Sequence, residues 1–142
     1  MEIIKLSPDK FDSVFELLAE AKLDFSDLKQ PNIRLFRFED SGQTIGVGGL
    51  EVFDDQALLR SVAMKKDLQG KGLGKEMVAQ IEKTAGNSGI KSLYLLTNTA
   101  PDFFRSIGYQ QIDRNDFAEP LKQTAQIAGL CPVSAVCMKK EL

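Results

Sequence analysis

The chain has no histidine and no tryptophan among its 142 residues. Without imidazole there is no Ser-His-Asp triad, no Cys-His pair and no histidine-ligated metal. Proton transfer must fall to Glu, Asp, Tyr, Cys or Lys. Tyrosine is scarce too, with only Tyr94 and Tyr109. Neither sign of charge dominates: 18 Lys and Arg stand against 20 Asp and Glu, a net charge of −2. That excludes a strongly basic nucleic-acid binder and a polybasic membrane-surface protein. No apolar run approaches a membrane span. The opening MEIIKLSPDK lacks the basic-then-apolar order of a signal peptide. Two cysteines and no export signal point to a reducing cytoplasm. What is present, 43% apolar and 27% charged residues, suits one globular domain over residues 1–142.

Hydrophobic periodicity orders the chain as mixed α/β. Residues 2–6 read as a first strand. Ser7 and Pro8 then open a helix with Phe11, Val14, Phe15 and Leu18 on one face. Residues 22–32 read as a loop or a short second helix. Ile33–Glu39, Gln43–Phe53 and Ala57–Met64 read as strands joined by turns at Asp40-Ser41-Gly42 and Asp54-Asp55. In the third of these, Leu58, Arg60, Val62 and Met64 alternate with Leu59, Ser61 and Ala63, so both faces are largely apolar. That is the pattern of a central strand. A helix follows QGKGLG, with Leu73, Met77, Val78, Ile81 and Ala85 on one face. Ser92–Thr97 is a buried strand, Ala100–Ser106 a short helix and 109–113 a short strand. Pro120–Ala128 suits a helical turn or two, and Pro132–Lys139 a last strand.

QGKGLG, residues 69–74, is the most informative segment. It follows a strand and opens a helix. Its glycines let backbone approach a ligand, and the free N–H groups of the helix start favour an anion. Lys71 and Lys75 add positive charge, so the loop suits phosphate or pyrophosphate. It is not a Walker loop, because Glu76 follows Gly74-Lys75. Nor is it the dinucleotide fingerprint, because the spacing is GxGxG. A tight strand-to-helix turn with exposed lysines is the plainer alternative.

The same segment fits Q/R-x-x-G-x-G/A, with Gln69, Gly72 and Gly74 in the fixed places. With Val62-Ala63-Met64 before it and TNTAPDFFRSIGY (97–109) after it, nearly the whole chain resembles the GCN5-related N-acetyltransferase (GNAT) family. The C-terminal GLCPVSAVCMKK (129–140), with LLRSVAM (58–64) and FFRSIGY (103–109), resembles the small acetyltransferases of bacterial arsenic-resistance operons. The resemblance implies an α/β (α+β) fold, a mixed, mostly antiparallel central sheet flanked by helices. It implies acetyl-CoA as co-substrate, no metal, and a small-molecule amine as acceptor. Gln69, Gly70, Lys71, Gly72, Leu73, Gly74 and Lys75 match the pyrophosphate loop. The backbone around Val62, Ala63 and Met64 matches the strand that pairs with the pantetheine arm. The Val62 amide matches the donor facing the acetyl carbonyl. Thr97, Phe103 and Phe104 match the other wall. The family often has Tyr where this chain has Phe104, and that phenol protonates the departing thiolate. Here Tyr109, Cys131 or Cys137 remains, or the thiolate leaves unassisted. Many such domains dimerise, and no sequence feature decides a homodimer here.

An amine acceptor must lose a proton before attack, and a carboxylate can take it. Glu51 lies near the end of an apolar strand. If Asp54-Asp55 is a two-residue turn, Gly49 pairs with Arg60 and Glu51 with Leu58. Glu51 and Arg60 then lie diagonally on one face, within reach, whereas a one-residue bulge would put them on opposite faces. Two readings stay open: base plus clamp for a substrate oxyanion, or a simple ion pair. A tight pair would hold Glu51 ionised and weaken it as a base. Cys131 and Cys137 are too far apart on one strand, roughly 20 Å, for a disulfide. They suit either core positions or, for Cys131, contact with substrate. The expected function is N-acetyl transfer to a small amine. A CoA-binding module without turnover is the rival that Phe104 keeps open, and a phosphate-binding module is a third reading.

Overall fold

The clearest strand signals in the chain lie between residues 33 and 64, and they become its sheet centre. The computed structural model describes residues 1–124, 127 and 134–142. β1 (Glu2–Leu6), β2 (Ile33–Asp40), β3 (Gln43–Phe53) and β4 (Gln56–Met64) form an antiparallel meander. β5 (Ser92–Thr97) then joins β4 in parallel. β7 (Val136–Glu141) lies antiparallel to β5, and β6 (Gln110–Ile112) completes the order β1-β2-β3-β4-β5-β7-β6. This mostly antiparallel sheet with flanking helices is the expected fold class.

The two hairpin turns carry the register. Ser41 and Gly42 both have positive φ, 52° and 79°, the pairing a tight two-residue hairpin requires. Asp54 also has positive φ, 55°, and Phe53 faces Gln56 across the second turn. Gly49 therefore pairs with Arg60 and Glu51 with Leu58, as the two-residue turn requires.

α2 (Leu73–Asn87) lies against one face of the sheet and buries Met77, Val78, Ile81 and Ala85. It comes close because β3 offers glycine there. A Cβ on Gly46 would lie 2.6 Å from Met77 Sδ, and one on Gly48 closer still to Ile81 Cδ1. Phe36, Phe38, Leu50, Leu59, Leu93 and Leu95 complete that core. The other face carries two clusters. Leu35, Val47 and Ala63 pack with Phe11, Val14, Leu18 and Leu28. Leu58, Tyr94 and Cys137 pack with Phe117 and Leu121.

The structure refines several expectations. The first helix begins as a 3₁₀ segment, Pro8–Val14, and becomes α-helical only at α1 (Phe15–Glu20). Ser7 is its N-cap residue but makes no side-chain cap bond. Residues 22–32 form the loop, one of the two readings given for them, and the last strand starts at Val136, with Pro132 outside the described residues. The regular alternation of β4 is also broken. Val47 faces Ala63 and Gly49 faces Arg60, so Ser61 and Val62 together oppose Gly48. Ser61 has φ 59°, so a β-bulge sits here. The extra residue reverses the faces beyond it. Ala63 joins the Val47 cluster, while Val62 and Met64 pack with the α2 core.

Candidate active site

β4 and β5 pair only from Gln56–Leu58 against Ser92–Tyr94. Beyond that, β4 stays with β3 and β5 with β7. Neighbours held by different partners diverge, and a gap of about 200 Å³ opens between them. Leu58 to Val62 form one wall, and Leu95 to Thr97 the other. The bulge falls at the edge of this gap. It takes Ser61 and Val62 out of register with β3 just where β4 has already left β5.

A wider groove of about 670 Å³ runs on toward the start of α2, and Val62, Ala100 and Phe104 line both spaces. The structure brings most of the expected cofactor residues into this groove: Val62, Ala63, Met64, Gln69, Gly70, Gly72, Gly74, Lys75, Phe103 and Phe104. Thr97 lines the gap instead, and its Oγ1 accepts from the Ala100 N–H at 3.1 Å. Lys71 is exposed on the loop, and Leu73 is half-buried in the first helical turn. Neither lines the groove wall. Ala21 and Leu23, just after α1, line both spaces and carried no sequence signal.

Gly70 and Gly72 have φ 82° and 79°, and Gly72 is the N-cap of α2. A glycine cap has no side chain to satisfy the first helical N–H groups, so they stay available to an anion. A Cβ at Gly72 would touch nothing within 4 Å, so alanine there strains only the backbone. The left-handed conformation costs an alanine roughly 1–2 kcal/mol; a loop that relaxes to relieve this must be bent back to present its amides, so Gly72→Ala is expected to weaken binding of a pyrophosphate ligand by up to about tenfold. Isothermal titration calorimetry reads this directly, and unchanged affinity would show that the turn geometry does not serve the ligand.

Phe104 is buried, edge-on to Phe103 at 5.0 Å and to Tyr109 at 5.5 Å. Tyr109 lines neither space. Its hydroxyl donates to Glu82 Oε2 at 2.8 Å, and Glu82 also pairs with Lys140. Burial, with Glu82's charge and hydrogen bond, raises the phenol far above its ordinary range. A phenol tethered this way packs the core. Tyr109→Phe should cost about 1 kcal/mol of stability and leave turnover unchanged; slowed turnover would reinstate it as the acid. Tyr94 packs against Phe117 on the opposite face. Cys137 is buried in the same cluster, and burial pushes its thiol pKa up. Cys131 lies outside the described residues.

The Glu51–Arg60 pair forms, and it is larger than expected. Arg60 Nη1 donates to Glu51 Oε1 at 3.1 Å. The same guanidinium forks onto Asp27, Nη1 to Oδ2 at 2.6 Å and Nη2 to Oδ1 at 2.5 Å. Its Nε donates to Ser61 Oγ at 3.3 Å. All three charged side chains are at most 8% exposed. Burial opposes the charge on Arg60, but the two carboxylates outweigh it and hold its pKa above the usual value. Glu51 moves the other way from the sequence expectation. Burial pushes its pKa up, Arg60 offsets this only in part, and Asp27's charge adds to the rise. Asp27 was missed because a lone aspartate in an unpatterned segment carries no local signal.

The pair also straddles two spaces. Arg60 lines the gap between the strands, whereas Glu51 lines a neighbouring polar hollow of about 440 Å³ with Asp27, Gln30, Asn32, Gln123 and Thr124. Among the described residues no group of His, Cys, Asp and Glu could hold a metal, and no helix is long and apolar enough to cross a membrane.

A family model described as an acetyltransferase (GNAT) domain matches residues 31–111. An uncharacterized N-acetyltransferase of Chlorobaculum tepidum, CT2212, is 28% identical over 92 residues, 63% of this chain and 59% of that protein. N-acetylglutamate synthase from Neisseria gonorrhoeae, complexed with coenzyme A and N-acetyl-glutamate, superposes with a TM-score of 0.80 at 18% identity, over 99% of this chain but 35% of that one. PaiA N-acetyltransferase from Thermoplasma acidophilum, in complex with coenzyme A, gives 0.71 at 17% identity, over 99% and 98%. The chain thus spans less than two thirds of each of the first two proteins.

Proposed function

This chain belongs to the GNAT family of acetyltransferases, and from that premise we propose that it moves the acetyl group of acetyl-CoA to the primary amine of a small molecule. Both substrates bind together, and the amine attacks directly. The observation that carries this reading is the position of Val62, whose residue lines both the cofactor groove and the gap between the strands.

The pyrophosphate lies on the amides of Gly70 to Lys75, and the pantetheine arm follows β4 past Met64 to Val62. The amine nitrogen forms a bond to the thioester carbonyl carbon, and the oxygen takes the negative charge. The Val62 N–H, at the bulge where β4 slips register against β3, stabilises that oxyanion. Glu51 accepts the amine proton through water, because its carboxylate lies in the hollow beside the gap rather than within it. The C–S bond then breaks and CoA leaves as a thiolate. With Phe104 in place and Tyr109 tethered to Glu82, it leaves without a phenolic acid. A thiolate is stable enough to do so. Arg60 as a clamp for a substrate oxyanion has little capacity left, since four of its five N–H groups are already engaged. Cys131 is retained as a substrate contact in this reading.

Within small amines, the C-terminal resemblance to arsenic-operon acetyltransferases places amino-acid-like acceptors first, including those bearing an arsenic or phosphinate oxyanion. The N-acetylglutamate synthase complex holds an acetylated amino acid, which supports the same class. The test is acetylated product by mass spectrometry over a panel of small amines. Fast transfer to one member establishes the reaction. Tight acetyl-CoA binding with no transfer to any member favours the binding module without turnover.

A further inference from the structure

The triad holds one carboxylate more than charge neutrality needs. One guanidinium and one carboxylate would neutralise each other. A second buried carboxylate leaves a net negative charge out of water, which costs stability. A purely structural ion pair would not keep it. The geometry also divides the two carboxylates by role. Asp27 takes both arms of the guanidinium, whereas Glu51 receives one N–H through Oε1. Among the described residues nothing donates to Glu51 Oε2.

We propose that Asp27 is a positioning residue for acetyl transfer. It occupies the fork of Arg60, so that one Glu51 carboxylate oxygen beside the acceptor hollow is left unbonded by any described residue. It reaches the reaction only through Arg60, and along two routes. One is Glu51. The other is the bulge, because Arg60 precedes Ser61, bonds its Oγ and so steadies the backbone that presents the Val62 N–H.

The local chain is built to hold Asp27 in place. Asp24 Oδ1 accepts from the Ser26 N–H at 2.8 Å and from the Ser26 hydroxyl at 2.6 Å, closing a turn just before Asp27. Leu28, immediately after it, is 1% exposed in the core cluster on that face. Asp27 is thus pinned between a turn and a core side chain, and its carboxylate closes the acceptor-side loop onto β4. Among the described residues, the groups around Glu51 are few. Arg60 on β4 and Asp27 on the loop are charged; Gln30 and Asn32 before β2, Phe53 at the end of β3, and Pro120, Gln123 and Thr124 of the short helix Glu119–Lys122 and its exit are not.

The inference rests on Glu51 being the base, and the test separates the two. The full chain is labelled with ¹³C at the glutamate carboxyl, and Glu51 is assigned by the resonance lost in Glu51→Gln. In Asp27→Asn, Arg60 is released to Glu51 and a neighbouring negative charge disappears. Both effects favour the ionised form of Glu51, so its titration midpoint should fall. With an acceptor found in the panel, kcat should drop about tenfold, as expected of a weaker base. Its acid limb should move to lower pH, and acetyl-CoA affinity should stay within twofold. Asp27→Glu keeps the charge and should recover the wild-type limb. Asp27→Ser carries the same expectation as Asp27→Asn and serves where the latter does not fold. A plain structural role predicts lost stability with an unmoved limb, and that outcome overturns the proposal. Full turnover in Glu51→Gln overturns the base and this inference together. An inactive Glu51→Gln with an unmoved limb in the Asp27 variants sinks the inference alone.

Discussion

Arg60→Met should destabilise the protein by about 3–5 kcal/mol at neutral pH, and by clearly less at pH 5. Methionine fills similar space, so the loss is mainly electrostatic. It strands Asp27 and Glu51 beside each other with no cation, both nearly out of water. The pH dependence follows from Glu51. Its folded pKa is already raised by burial, with Arg60 opposing the rise. Removing Arg60 raises it further. A group whose pKa is higher when folded helps stability below its unfolded value and loses that contribution as pH rises through the folded value. The deficit is therefore largest at neutral and alkaline pH, where the folded state must hold an unpaired charge or bind a proton. It shrinks as acid supplies the proton in both states. Urea unfolding at pH 7.5 and at pH 5 measures it. An equal loss at both would mean that packing, not charge, sets the cost, and the triad would then have no electrostatic role.

That triad also marks how far local pattern carries. The β3–β4 register was readable because two acidic residues between alternating strands specify a two-residue turn, and a turn of known length determines every pair beyond it. The closeness of Glu51 and Arg60 followed from that turn, provided no bulge came between them, and the bulge falls just beyond Arg60. The glycine loop was readable for a similar reason: strand, glycines and amphipathic helix are all local signals. The bulge was not. Ser61 has a positive φ although nothing in RSVAM departs from alternation, because the bend comes from strands that part company rather than from the residue itself. The 3₁₀ start of the first helix was hidden likewise, since apolar residues at 11, 14, 15 and 18 satisfy both helix types. Asp27 was the largest omission. It is 33 positions from Arg60, and no period links them. Its role exists only once the loop after α1 folds back over β4. The reading of the pair changed with it. Two groups imply a carboxylate held ionised; three groups, with the fork spent elsewhere, give one whose burial prevails.

Glu51→Gln should then reduce turnover by about 10²–10⁴-fold, the range of a positioned general base, while acetyl-CoA affinity changes little. Glutamine keeps the size and the oxygen that accepts from Arg60 Nη1, so the hollow and the bulge should hold their shape. Only the capacity to take a proton is lost. Glu51 lines the polar hollow and none of the groove beside the glycine loop, which separates the two effects in space. The variant also relieves the buried excess of negative charge, so it should be at least as stable as the parent. Loss of rate with gain of stability is a combination that misfolding cannot produce. Because burial raises the pKa of the wild-type carboxyl, its acid limb in kcat should lie above that of a solvent-exposed glutamate, and the variant should lack that limb altogether. The residual rate should rise with pH as the free amine fraction of the acceptor grows. Paired measurements of kcat across pH and of acetyl-CoA affinity by calorimetry check each part. A variant that turns over at the parental rate, with the same acid limb, would move the base away from Glu51 and leave Asp27, Arg60 and Glu51 as a scaffold alone.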